Sequence, residues 1–319
     1  MRENKQLLRS LIILVLLAGF SYRAEALFFL TRSLTVNETF LPDQEIAVTQ
    51  EIRLLHFGAV QDRLDYFITF STGSSGDFTN RSMTGSTASV LYYNIYDDRV
   101  NRNVLMDLSV QPSPSNVLSG SITEEEAGRF VTITEVSFVV LLDPDQFPEA
   151  GQYQDAVTLN LYLGTPENPE SSSSEDSIMM SLSAVMDTAM EMSIVPDGGV
   201  FDETSIDLLL NFGTLFAGDT READLLVRSN SGYSVSIRSE NRGEMLIQNP
   251  DDSSVVPYRL LSNGSLLDLS PGTDQILAVA DDGTDENGNR YNLSFGILDF
   301  GMATEGIYSD VLTVTLSAR

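Results

Sequence analysis

Apolar and polar side chains alternate in short runs from residue 27 to the last residues of the chain. Residues 27–40 alternate loosely, with Phe29, Thr31, Ser33 and Thr35 set against Leu30, Arg32, Leu34 and Val36. Residues 46–57 form a second run that stops at Gly58, and residues 66–70 a third, closed by a Gly/Ser turn. Residues 90–96 are the most aromatic stretch, and residues 130–142 are a long β-branched run halted by Asp143 and Pro144. The same texture continues through 207–212, 223–228, 234–239, 257–260, 276–280, 291–300 and 308–316. A period of two is the signature of a strand with one buried face. After residue 26, no window of twelve or more residues holds a capped helical period. Short strands separated by turn residues roughly every ten positions predict an all-β fold of sandwich type.

The pattern also repeats. Gly306, Tyr308, Asp310, Val311, Leu312, Val314 and Leu316 lie in the same order as Gly151, Tyr153, Asp155, Ala156, Val157, Leu159 and Leu161, 155 residues earlier. Leu54, Leu55, Phe57 and Gly58 match Leu209, Leu210, Phe212 and Gly213 at the same offset. Two anchors at one offset predict a duplication: two tandem immunoglobulin-like β-sandwiches of about seven strands each, residues 27–164 and 178–319. Residues 165–177 hold two prolines, four consecutive serines and several acids, and read as an acidic linker. Met179, Met180, Met186, Met190 and Met192 cluster where the second repeat opens. They are expected to line a core strand or the wall of a groove.

The first residues change the picture of the compartment. Arg2, Lys5 and Arg9 precede a ten-residue apolar stretch, 11–20, too short to span a bilayer, and Ala24 and Ala26 offer the small residues of a cleavage site. A signal peptide is expected over residues 1–26. Its removal takes away four basic and two acidic side chains and moves the net charge from −28 to −30. Such a chain repels nucleic acid and anionic lipid, so neither nucleic-acid binding nor membrane insertion after cleavage is expected. With no cysteine, it has neither disulfide nor thiol chemistry.

Candidate chemistry is sparse. His56 is the single histidine and sits in an apolar strand end, where a local structural role is expected. The chain has no nucleophile elbow and no phosphate-binding glycine loop. Its many carboxylates are expected on solvated faces, so no enzyme activity, catalytic residue or cofactor is expected. Residues 281–289 form one weak calcium candidate, around Asp285 and Asn287. In an EF-hand register the positions for the first and last ligands fall on Gly283 and Ser294, so a turn is the plainer reading.

The two motifs together resemble the spore coat protein U domain family, which includes subunits and two-domain tip adhesins of archaic chaperone–usher pili. The residues carrying the resemblance are Leu55, Phe57 and Gly58 with Gly151, Tyr153 and Asp155 in the first repeat. In the second they are Leu210, Phe212 and Gly213 with Gly306 and Asp310. The stretch Asn80, Arg81, Ser82, Met83 ahead of Tyr92–Tyr96 is also similar to the family's central region, as are Ser229 to Tyr233. The resemblance implies sandwiches lacking a last strand, each completed by a neighbouring subunit. It also implies partners: a periplasmic pilus chaperone, an usher, a neighbouring pilin and a host or abiotic surface.

On that basis Tyr308, Val311, Leu312, Val314 and Leu316 are expected along the donor-strand groove. Arg319 is expected at the chaperone. Subtracting the offset from Ile178 leaves no strand ahead of the first repeat to donate, which suits a secreted tip adhesin on the cell surface. The first repeat, with its exposed loops at 73–85, would bind and the second would attach. The alternatives are a structural spore-coat or outer-surface protein, and a secreted carbohydrate-binding β-sandwich.

Overall fold

The computed structural model describes residues 26–319 apart from 41–44, 59, 61, 87–88, 124–125, 127–130, 145 and 250. The expected signal peptide therefore lies outside the described residues except for Ala26. The fold is all-β, in two bodies with separate apolar cores.

The first body contains β1 (Ala26–Phe29), β2 (Ser33–Phe40), β3 (Ile46–Phe57), β4 (Arg63–Phe70), β5 (Arg81–Gly85) and β6 (Val90–Tyr96). It continues with β7 (Leu118–Thr123), β8 (Val131–Leu142), β9 (Gly151–Thr165), β10 (Asn168–Pro169) and β11 (Asp176–Met186). One layer runs β1-β3-β8-β6-β5 and the other β7-β4-β9-β11-β2, and β9 joins them by pairing with β5 at its start and β4 further on. Inward side chains of both layers, such as Phe29, Ile52, Phe70, Ile95, Phe138 and Leu161, are fully buried.

The second body contains β12 (Met190–Pro196), β13 (Thr220–Ser229), β14 (Tyr233–Ser239), β15 (Glu244–Ile247) and β16 (Val255–Ser262). It continues with β17 (Ser265–Leu267), β18 (Gln275–Ala280), β19 (Asn289–Ile297), β20 (Tyr308–Ser309) and β21 (Leu312–Ala318). The layers are β12-β13-β19-β16-β15-β20 and β18-β14-β21. The plan is that of the first body, with β20 and β21 together in the place of β9.

Two expectations need correction. Residues 165–177 do not form a linker, and 178–186 do not open the second repeat. β10 folds back on the end of β9, and β11 runs antiparallel to β9 from Asp176↔Leu161 to Met186↔Gly151. On its other side β11 pairs in parallel with β2, from Met179↔Ser33 to Met186↔Phe40. The cause is period-two burial: Ile178, Met180, Leu182, Ala184 and Met186 all face the first core. The crossing between bodies lies at 187–189.

The second correction concerns Leu54 to Gly58. This segment ends β3, paired with both β1 and β8, whereas 209–213 precede β13 outside any strand. The two stretches are not structurally equivalent, and the expected strand at 207–212 has no hydrogen-bonded strand neighbour among the described residues.

The crossing is clasped by Asn230, itself buried. Its side chain accepts from Ala189 N at 2.8 Å and donates to the Asp187 carbonyl at 2.9 Å, while its carbonyl accepts from Ala150 N at 2.8 Å. Beside it the Arg228 guanidinium lies between the rings of Phe147 and Phe201, at 5.5 and 5.3 Å.

Candidate functional site

The repeated Gly-x-Tyr-x-Asp motif performs one structural task twice. Tyr153 donates its phenolic hydrogen to the Glu149 carbonyl at 2.6 Å, and Tyr308 donates to the Thr304 carbonyl at 2.6 Å. This backward bond at the start of a strand is the tyrosine corner of immunoglobulin-like folds. Asp155 then accepts from the Tyr93 hydroxyl at 2.5 Å and from Ser74 N at 2.9 Å. Asp310 accepts from the Tyr258 hydroxyl at 2.6 Å, from Asn241 N at 3.0 Å and from Ser239 Oγ at 2.5 Å. Burial, and then the hydrogen bond to the carboxylate, pushes both phenols above the ordinary tyrosine range. Gly151 has φ +149°, a conformation that favours glycine.

After this shared start the two bodies part. In the first, Val157, Leu159 and Leu161 of β9 are fully buried, because β11 covers that edge. Their counterparts at the 155-residue offset are Leu312, Val314 and Leu316 of β21, which stay half-buried. β21 pairs with β14 on one side, and among the described residues no strand pairs with the other.

Along that edge runs a groove of about 570 Å³. Asp310, Val311, Leu312, Thr313 and Val314 form one wall; Met192, Ile194, the run 206–210, apolar except for Asp207, and Phe212 form the other. Core side chains Ala223, Ile237, Tyr258, Leu293 and Phe295 make the floor. The groove is walled by apolar side chains left open to solvent: Ile206 is 67% exposed, Leu209 87% and Val311 58%.

Of the residues expected along the groove, Val311, Leu312 and Val314 line it, Leu316 continues the same face of β21, and Leu210 and Phe212 join from the facing wall. Tyr308 serves the corner instead. Arg319 donates its backbone N–H to the Gly232 carbonyl at 3.0 Å and pairs with Asp281, beyond the groove. Leu55 is buried and Phe57 is half-buried, while Gly58 and Gly213 sit at turns with positive φ. Met192 takes the groove-wall place expected of the methionine cluster; Ile194, Ile206 and Leu208 join it, and the alternation Ile206, Leu208, Leu210, Phe212 is the pattern that marks them.

Residues 59–160 match the Spore Coat Protein U domain. The coat-U match lies within the first body and spans β4 to most of β9, including Tyr93, Tyr153 and Asp155. No curated protein matches the chain. The chain is similar to a number of solved structures at low identity. A chain of the CsuC–CsuE chaperone–tip adhesion subunit pre-assembly complex of Acinetobacter baumannii is 14% identical, with 90% of this chain and 99% of that one covered and a TM-score of 0.42. The CupB6 tip adhesin of Pseudomonas aeruginosa is 12% identical, with 85% and 86% covered and a TM-score of 0.36. CfaE, the adhesive subunit of CFA/I fimbria of enterotoxigenic Escherichia coli, is 7% identical, with 91% and 99% covered and a TM-score of 0.32.

The remaining candidates have structural surroundings. Arg81, within the family-like stretch, is wholly buried. It donates to Asn94 Oδ1 at 2.6 Å and to the carbonyls of Leu105 at 2.5 Å and Ser71 at 3.0 Å, and burial brings its guanidinium down to about 10. Tyr93 is core while Tyr92 is 46% exposed. His56 is buried within β3. The Asp285 carboxylate accepts from Asn287 N at 2.9 Å and Gly288 N at 3.1 Å, an Asx-type turn. Among the described residues there is no group of three His, Cys, Asp or Glu side chains placed to hold a metal ion. Among them, too, no helix is long and apolar enough to cross a membrane.

Proposed function

We propose that this chain is a non-catalytic, two-domain subunit of a chaperone–usher pilus. Its second body accepts an extended strand from a neighbouring subunit, and its self-closed first body stands outward at the tip as the adhesive part. The observation that carries this reading is the contrast at one offset: Val157, Leu159 and Leu161 are sealed by β11, while Leu312, Val314 and Leu316 face a groove. The free edge of β21 supplies backbone donors and acceptors for an added strand, and the groove floor supplies apolar burial. Each side chain that becomes fully buried contributes about 1.5–3 kcal/mol, so three or four of them rival the net stability of a domain.

The coat-U match and the twice-used terminal motif support membership of such a pilus system. In this reading the chain is exported, a periplasmic chaperone covers the groove, an usher passes the subunit outward, and the first body meets a host or abiotic surface. Periplasmic expression with and without a cognate pilus chaperone tests it. Intact protein is expected to accumulate only with the chaperone. Equal recovery without it contradicts the reading and favours a coat or surface protein complete in itself.

A further inference from the structure

The strands that close the first body also have an outer face. Along β11 the alternate residues Ile178 to Met186 enter the core, so Met179, Ser181, Ser183 and Val185 stand on the other side. On β9 the outer positions are Gln152, Gln154, Ala156 and Thr158; on β2 they are Ser33, Thr35, Asn37 and Thr39. The two ladders hold them in register. Thr158, Met179 and Ser33 form one row, Ala156, Ser181 and Thr35 the next, and two more rows follow in step. Strand geometry sets the rows about 6.8 Å apart and neighbours within a row about 4.8 Å apart. None of these positions carries a charge, in a chain of net charge −28. Elsewhere the outer faces are charged: Arg53 of β3 pairs with Glu135 of β8, and Arg228 of β13 with Glu191 of β12. Among the described residues, the hydroxyls of Thr35, Ser181 and Ser183 and the amides of Asn37, Gln152 and Gln154 bond to no other protein group. Further along the same side of β9 lies Tyr162, half-buried, its ring stacked on Phe67 at 5.0 Å and 10°.

We propose that this outer face of β9, β11 and β2 binds an extended, uncharged, β-linked polysaccharide. Charge selects the occupant first. The chain as a whole repels anions, and a cationic polymer would be drawn to the acids that this face lacks, whereas a neutral one meets a neutral surface. Hydroxyls and side-chain amides both donate and accept, as sugar hydroxyls do. Tyr162 adds a flat apolar ring for the C–H face of one sugar. A β-linked glycan is an extended ribbon that can follow a strand, whereas a coiled one such as amylose cannot. A protein partner is a poorer match, because serine and alanine are depleted at protein interfaces and this face has few aromatic anchors. The assignment rests on the adhesive role proposed for the first body and names the ligand class of that role.

Retention of the intact protein on microcrystalline cellulose and on chitin tests this, with heparin gel as the anionic counterpart. Wild type is expected to be retained on at least one of the two neutral polymers and not on heparin. Ser181→Glu and Ser181→Arg, at an exposed position in the middle of the face, are each expected to lower the retained fraction at least tenfold with the first body's Tm in place. Arg53→Gln, on the opposite outer face, is expected to leave it unchanged. No retention of wild type on either neutral polymer overturns the proposal, as does equal retention on heparin or retention that survives either Ser181 variant. The pilus reading is decided separately, by whether recovery of the protein depends on the chaperone.

Discussion

Tyr258 and Asp310 are joined by a 2.6 Å hydrogen bond in which the phenol donates to Oδ2, and the pair is duplicated by Tyr93 and Asp155 at 2.5 Å. In each body a strand from one layer is tied to the strand that crosses between layers. The carboxylate also accepts from a backbone N–H of the neighbouring loop, Asn241 or Ser74. The bond explains why Asp follows the corner tyrosine by two residues in both copies: β9 and β20–β21 must switch layers there, and the carboxylate fixes the switch. Removing the phenolic hydrogen leaves a charged acceptor one donor short. Tyr258→Phe and Tyr93→Phe are each expected to cost about 1.5–3 kcal/mol by urea denaturation. Tyr92→Phe, at an exposed position of the same strand as Tyr93, is expected to stay within about 0.5 kcal/mol.

The same bond sets an alkaline limit. Burial and the Asp310 carboxylate raise the Tyr258 phenol above its unfolded value near 10. The folded state therefore holds a proton that the unfolded state releases. The stabilisation is complete below about pH 10 and is lost as pH rises beyond it. Between about pH 9 and 11, wild type is expected to lose stability more steeply than Tyr258→Phe, by up to about 1.4 kcal/mol per pH unit. Parallel stability–pH curves contradict this role.

β11 makes the first body self-sufficient. A fragment covering residues 26–188 is expected to unfold cooperatively, whereas 26–164 lacks the strand that covers Val157, Leu159 and Leu161 and is expected not to. Within the whole protein Leu182→Ala, at a fully buried site, is expected to cost about 2–5 kcal/mol in the first body's transition alone. Calorimetry resolving two transitions checks both statements.

Asn230 holds the crossing between bodies through Ala189, Asp187 and Ala150. Asn230→Ala removes the two side-chain bonds and leaves the backbone bond from Ala150 N. Small-angle scattering is expected to show a larger radius of gyration for the variant, with both melting transitions in place.

The strand character of the chain was plain in its alternation, and the terminal motif marked the layer-crossing strand of both bodies. The boundary between the bodies was not legible, because the spacing between copies is not constant. Leu163 and Ala318 are 155 residues apart, yet their partners in the ladder, Tyr66 and Tyr233, are 167 apart. A chance match of Leu54–Gly58 to Leu209–Gly213 concealed that shift. It placed Ile178 in the second repeat, although the alternation Ile178, Met180, Leu182, Ala184, Met186 was present to read as one more strand. Which body that strand closes is a long-range pairing that a local period does not encode. Residues 206–212 mislead for a related reason: their pattern is that of a strand, and strand formation needs a neighbour that these residues do not supply.

The groove beside β21 is tested most directly by a thermal shift. The intact protein is heated with the Asp176–Met186 peptide and with a scrambled peptide of the same composition. A strand-accepting groove gains about 2.7 kcal/mol at a hundredfold excess over Kd, which raises the second body's Tm by about 10 °C. Val314→Asp, which sets a charge in the groove wall, is expected to abolish that rise. A second-body Tm that is the same with the two peptides contradicts the assignment of this groove as a strand acceptor.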